Sequence, residues 1–295
     1  CPHFMKNFLL PVGLLFGGLV LPATVLAQAP DLLNSLDPGS PSLGAGGAFS
    51  VTNADTFSTY FNPASLGYVT RRTIGTAYRN LPESRSRITG NFADPSFSTQ
   101  TERGANRFTH FGYVQPIKGG GSFGLSYTLG GYLDDLRFGT GLQVGNLTLN
   151  NYSEQTTVQP SFYSLAYGRA NKAGNASFGL ALVLASQNVR NRVLGVLTNP
   201  DNSTTPFNNV NLSETGTGVG VLLGGQFSPT GAPNTSIGVS VRTPISLRGT
   251  GDTGGLSSRI PGVFRVGYAT RVDSLRKGRE DFLVYGLHLA QYFGG

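Results

Sequence analysis

From residue 122 to residue 269 the chain alternates, and the two alternating sets differ in kind. One set reads Phe123, Leu125, Tyr127, Leu129; Tyr163, Leu165, Tyr167; and Phe178, Leu180, Leu182, Leu184. It continues through Val219, Val221, Leu223; Ile237, Val239, Val241; and Phe264, Val266, Tyr268, and all 20 positions are apolar. Of the 24 positions interleaved with them, 17 are Gly, Ala or Ser. Period-two alternation assigns the sets to opposite faces of strands. A soluble sandwich alternates too, but its outward face carries Lys, Glu, Thr and Arg, which hold water and block edge pairing. Small residues do neither. They suit the inside of a membrane barrel whose bulky apolar face meets lipid, and strands in hydrocarbon must close because no unpaired edge is tolerated there.

The composition agrees. Glycine accounts for 42 of 295 residues and charged residues for 13%, against about 25% in an average soluble domain. With 39% hydrophobic residues and a mean hydropathy of -0.07, the chain is too apolar for disorder and too polar for a bundle of membrane helices. Cys1 is the single cysteine, which excludes a disulfide framework or a cysteine-based metal site. His3, His110 and His288 are too scattered to suggest zinc.

The pattern predicts nine strands, at 69–79, 106–116, 121–133, 157–169, 176–188, 215–227, 236–247, 261–271 and 281–293. Every second connection is long: 80–105, 134–156, 189–214 and 248–260. The others are short: Ile117 to Gly120, Ala170 to Asn175, Ser228 to Thr235 and Val272 to Glu280. Outer-membrane barrels combine short periplasmic turns with long external loops in this way. Their strand numbers in bacterial single chains are even, and this sequence stops at Tyr292-Phe293-Gly294-Gly295 while a strand is running. The expected fold is therefore all-β: a transmembrane outer-membrane β-barrel, C-terminally incomplete, with an N-terminal plug.

Met5, Lys6, an uncharged stretch from Asn7 to Gln28 and the small-residue site Val25-Leu26-Ala27 read as a secretory signal peptide. Cys1 to Phe4 precede the natural start. Pro11, Gly13, Gly17, Gly18 and Pro22 argue against a spanning helix. The chain then divides into 1–27, the upstream residues and signal peptide; 28–68, a non-alternating segment; and 69–295, the partial barrel.

Residues 28–68 carry the most distinctive motifs. Gly46-Gly47-Ala48-Phe49 leads to Asn53-Ala54-Asp55, and then to Tyr60-Phe61-Asn62-Pro63-Ala64-Ser65-Leu66-Gly67. Asn62 suits a helix N-cap, Pro63 the first helical position, and Gly67 a left-handed terminator. By Gly46 to Ala48, by Ala54-Asp55 and by the spacing of Asn62-Pro63-Ala64, the chain resembles the FadL family of outer-membrane transport proteins, including the TodX-type hydrocarbon channels and PorV-type relatives. Some members carry paired acids beside the Asp, where this chain has Ala54 and Thr56. The family also has about fourteen strands.

The resemblance implies that 28–68 is a hatch inside the barrel, with Gly46, Gly47, Ala48, Asp55, Asn62, Pro63 and Ala64 as its motif and the turn near the periplasmic mouth. It implies a hydrophobic small-molecule ligand of the long-chain fatty acid or hydrocarbon type, passing the hatch by spontaneous conformational change. Phe49, Phe57, Tyr60 and Phe61 are the candidate ligand contacts. No cofactor, metal or catalytic residue is expected.

The remaining signals are weaker. The net charge of +7 comes from dispersed residues such as Arg71, Arg72, Arg85, Arg87, Arg103, Arg276, Lys277 and Arg279, which read as a rim touching outer-membrane lipid and lipopolysaccharide, with no nucleic acid partner. Asp134 and Asp135 point to opposite faces of a strand and belong to the same rim. Gly216-Thr217-Gly218-Val219-Gly220 lacks the third glycine of a dinucleotide fingerprint in either register, and reads as strand. Two other functions compete, the first from a different class and the second a general porin or structural barrel. A PorV-like protein would bind and shuttle secreted cargo for secretion-system components. A general porin would want charged lumen positions, whereas this lumen reads as mostly Gly, Ala and Ser.

Overall fold

The computed structural model describes residues 54–294, apart from 82–83, 90–96, 103–104, 141, 145–146, 207–209, 233, 252–256 and 274–281. The expected signal segment and Gly46, Gly47, Ala48 and Phe49 lie outside the described residues. The protein is all-β, built as a large antiparallel sheet. A short helix α1 (Ser58–Phe61) and a 3-10 helix η1 (Pro63–Tyr68) come first. Then follow β1 (Thr73–Leu81), β2 (Ser84–Thr89), β3 (Phe97–Glu102), β4 (Ala105–Pro116), β5 (Ser122–Leu129), β6 (Leu133–Thr140), β7 (Leu142–Val144) and β8 (Leu147–Ala170). The rest are β9 (Ala176–Thr198), β10 (Thr204–Pro206), β11 (Val210–Phe227), β12 (Thr235–Arg242), β13 (Ile245–Gly251), β14 (Ser258–Ile260), β15 (Gly262–Asp273) and β16 (Phe282–Phe293).

Nine of these strands form one continuous path, β1-β4-β5-β8-β9-β11-β12-β15-β16, each antiparallel to the next. They are the nine strands that the alternation predicts. The tight turns between them follow local chemistry: Gly119, Gly120 and Gly121 hold φ values of 95, 93 and 101°, and Gly174 one of 71°, a region that glycine enters at little steric cost. The remaining strands pair beside the path, β2 with β3, β3 with β6, β6 and β7 with β8, and β10 with β9.

Three boundaries differ from expectation. β8, β9 and β11 run well beyond 157–169, 176–188 and 215–227, so much of the expected loops 134–156 and 189–214 is strand. The apolar alternation stops near Leu184, but the strand does not. From Ser186 to Arg192 every residue but Val189 is polar, and Thr, Asn and Gln on the paired strands keep the ladder going without an apolar face. The expected loop 80–105 likewise contains β2 and β3. In the other direction, the expected strand 236–247 breaks at Thr243-Pro244, because proline has no N–H to give to a ladder. Beyond that break β13 pairs with β11 and β14 instead of continuing along β15, turning Ile245, Leu247 and Ile260 into the core.

The two faces are segregated as the sequence predicts. Of the 20 apolar positions only Leu129, the last residue of β5, is buried. Phe178, Leu180, Leu182 and Leu184 are 44 to 60% exposed, whereas Ala181 and Ala185 between them are fully buried. Cross-strand aromatic pairs line the exposed face, with ring centroids 5.0 Å apart for Phe123 and Tyr167 and 5.3 Å for Tyr127 and Tyr163. The core lies on the other face, where Leu66 and Val69 meet Val114, Phe162, Ala166, Ala181, Val183 and Leu222.

Candidate functional site

The segment from Asp55 to Tyr68 lies on the inner, small-residue face. Its start is fixed by short polar bonds: Phe57 N donates to Asp55 Oδ1 at 2.9 Å, and Asp55 N to Ser58 Oγ at 3.3 Å. Burial raises the Asp55 carboxyl to about 6, and the Phe57 and Ser58 amides only partly oppose that rise. Thr56, 1% exposed, lies against Gly75 of β1 and Gly112 of β4. Its hydroxyl is 3.2 Å from His110 Nε2, and His110 Nδ1 is 2.9 Å from Thr128 Oγ1. The Phe57 ring stacks on His110 with centroids 4.0 Å apart.

The second half is fixed as firmly. Asn62 Oδ1 accepts from Ala64 N at 3.1 Å, capping η1 with Pro63 at its first turn, while Asn62 Nδ2 donates to Gly225 O at 3.1 Å. One side chain thus closes the turn and ties it to β11. Ser240 Oγ of β12 donates to Phe61 O at 2.7 Å, Ser65 Oγ donates to Gln226 at 2.7 Å, and Ser122 Oγ donates to Val69 O at 3.2 Å. Gly67 is not the left-handed terminator that its position suggested. It lies within η1 and outside the positive-φ region, and a methyl group there would meet the backbone of Arg169 and Ala170. Close approach, not backbone handedness, requires glycine at this position.

The small residues of the wall have the same origin. A Cβ at Gly179 or Gly168 would strike the Pro63 backbone, one at Gly224 would meet Asn62 and Pro63, and one at Gly124 would sit 2.6 Å from Thr59. These contacts also fix the shape of the sheet. Thr56 touches β1 and Phe61 bonds to β12, six places along the strand path. Flat, those strands would stand about 29 Å apart at ~4.8 Å per strand. Five residues reach at most about 18 Å. The sheet therefore curls around the segment.

No known protein family, curated protein or solved structure matches this chain. The geometry must carry the functional reading by itself. Of the residues singled out from the sequence, Asp55, Asn62, Pro63 and Ala64 all lie in this one segment. Phe57 and Phe61 are 5 and 7% exposed and packed against the sheet, and Tyr60 lies against Phe61 and Phe162. Asp134 bonds to Gln155 and Tyr132 on the extended part of the sheet, away from the segment. Gly216 to Gly220 form part of β11, where Gly218 and Gly220 make room for Ile245.

The sequence reading passed over two inner-face arginines. Arg242 of β12 and Arg265 of β15 are 3 and 5% exposed. The Arg242 guanidinium sits 4.6 Å from the centre of the Phe162 ring, and that of Arg265 5.5 and 5.6 Å from Tyr60 and Phe61. The signal was available, since both stand among the seven interleaved positions that are not Gly, Ala or Ser. The inner face therefore carries charge at Arg242 and Arg265, set among its mostly small residues. Among the described residues, no cluster of three His, Cys, Asp or Glu could hold a metal, and no helix is long and apolar enough to cross a membrane.

Proposed function

We propose that the chain belongs to an outer-membrane β-barrel of the FadL kind, whose segment 28–68 is a hatch closing a passage for hydrophobic compounds. What carries the reading is the pairing of a bulky apolar face left open with a capped segment seated on the opposite, small-residue face. Twenty-two large apolar side chains are exposed among the described residues. Soluble monomers rarely expose so continuous an apolar surface. Outer-membrane lipid and lipopolysaccharide cover that surface in this reading, and the curled sheet encloses the segment. Long-chain fatty acids or hydrocarbons are the fitting cargo, because displacing the segment would uncover Phe57, Tyr60 and Phe61, which are packed against the sheet while it is seated.

A reversible lock tests the gate. Thr59 Oγ1 lies 2.5 Å from Ser126 Oγ, so cysteines at these two positions are placed to form a disulfide between hatch and wall. In cells carrying the full-length protein with Thr59→Cys and Ser126→Cys, uptake of a fluorescent long-chain fatty acid should fall under oxidation and return on reduction. The amount of protein in the outer membrane should stay constant. Uptake indifferent to the lock would remove the gating role and favour the cargo-binding alternative.

A further inference from the structure

Arg242 and Arg265 stand on neighbouring strands of the inner face, where Arg265 is paired with Ser240, two residues from Arg242. Diagonal neighbours of this kind lie about 7–8 Å apart. Guanidinium groups stay charged under all ordinary conditions, and taking even one out of water is costly unless it is paired and hydrogen-bonded. Here two like charges are buried side by side. Arg242 Nη2 donates to Pro261 O at 3.2 Å, but Arg242 Nε, Arg242 Nη1 and Arg265 Nη1 are buried without a partner. Among the described residues, the titratable groups around Arg265 are Tyr60, Arg242 and Tyr292, with no carboxylate among them. The aromatic faces of Phe162, Tyr60 and Phe61 hold the arginines in place but do not neutralise them.

We infer that Arg242 and Arg265 form a binding site for a doubly charged tetrahedral oxyanion, that is, the phosphate head of a phosphomonoester, directly against the Tyr60-Phe61 side of the capped segment. Charge decides against a carboxylate, which would neutralise one guanidinium and leave the other buried and unpaired. Geometry agrees. Three unmet nitrogen donors belong to two forks on neighbouring strands, and a phosphate monoester offers three acceptor oxygens. The site stands on the two side chains alone. Its role as a filter that admits phosphate-headed amphiphiles past the segment rests on the channel reading.

The test uses the chain inserted in phosphatidylcholine nanodiscs, titrated at pH 8 with dodecyl phosphate, dodecanoate and dodecanol, and separately with inorganic phosphate observed by phosphorus NMR. Dodecyl phosphate should bind at least tenfold tighter than dodecanoate, and dodecanol should bind weakest. Arg242→Met and Arg265→Met should each remove the preference. Arg242→Lys keeps the charge but loses the fork, so it should retain part of it. Strand content by circular dichroism shows which variants fold, and the lysine variant carries the comparison if a methionine variant does not. Equal binding of dodecyl phosphate and dodecanoate at pH 8, or a preference that survives in both methionine variants, overturns the site. Because these are binding measurements, a site that passes them while fatty-acid uptake ignores the Thr59-Ser126 lock would leave the oxyanion site standing and remove only the filter.

Discussion

Strand β9 shows two surfaces made by one stretch of chain. Phe178, Leu180, Leu182 and Leu184 project outward and stay exposed, while Gly179, Ala181 and Ala185 project inward and are covered. A change of one position along the strand reverses what a side chain must do. Outward, in the proposed membrane setting, bulk is required and charge is excluded, because the partner is a non-specific apolar medium. Inward, bulk is excluded by a specific neighbour, since Gly179 abuts the Pro63 backbone. The outer face is thus defined by a solvent and tolerates one apolar residue for another. The inner face is defined by contact and tolerates almost nothing larger.

The sharpest way to break this comparison is a charge on the outer face. Leu182→Arg should destabilise the inserted protein by about 2–4 kcal/mol, the cost of a basic residue on the lipid face near the bilayer midplane. Leu182→Ile should be nearly silent. Urea unfolding in lipid vesicles measures both. A Leu182→Arg protein as stable as the parent would mean that this face does not meet hydrocarbon. The inner face answers to volume instead: Gly179→Val should cost about 1–3 kcal/mol by overpacking against Pro63, with the outer belt intact. Its mark is local, as protease cleavage between Asp55 and Tyr68 in a protein that keeps its strand content.

These two faces also explain how much the sequence could tell. The nine path strands were legible because alternation of bulky apolar and small residues is a strong periodic signal, and all nine are present. The extensions of β8 and β9 were not, because the signal records the medium and not the ladder. Where both faces meet water, Thr, Asn and Gln sustain pairing with no apolar stripe to announce it. The break at Thr243-Pro244 was readable from proline chemistry, yet the alternation around Val241 outweighed it. In the segment, Asn62-Pro63 revealed the cap, since capping is local. The tie from Asn62 Nδ2 to Gly225 O spans 163 positions in sequence, and local pattern carries no trace of it.

That double role of Asn62 gives the next test, directed at the inner contact without adding volume. Asn62→Ala removes the cap of η1 and the bond to Gly225, and should cost the seated segment about 0.5–2 kcal/mol. Displaced states would then be populated roughly 2- to 30-fold more often. Hydrogen exchange at the Ala64 amide should quicken by that factor, while amides in β9 should not change. Equal protection at Ala64 in both proteins would show that the turn is held by its packing on Gly168, Gly179 and Gly224, with the cap incidental.

The smallest expected effect separates the faces by pH. Among the described residues, the 20 apolar positions of the outer belt carry no titratable group except tyrosine hydroxyls, so the belt should be indifferent between pH 5.5 and 7.5. The segment should respond through Asp55, whose carboxyl is raised by burial from 3.8 to about 6. A raised acid pKa means that the seated form binds the proton more tightly than the released form does. Seating should therefore be strongest in acid and weaken as pH rises through the window between 3.8 and about 6, levelling off above it. Released Asp55 is already ionised at pH 5.5, whereas seated Asp55 is mostly protonated there. Linkage then favours seating a few-fold at pH 5.5 over pH 7.5, on the order of 1 kcal/mol. Asp55→Asn mimics the neutral carboxyl and should abolish the difference while keeping the acceptor for Phe57 N. Exchange of the Phe57 and Ser58 amides, corrected for the intrinsic pH dependence with β9 amides as reference, reads the change. If the parent and the Asp55→Asn protein show the same pH response, the group responsible lies elsewhere, and the Thr56-His110-Thr128 chain beside it is the next to examine.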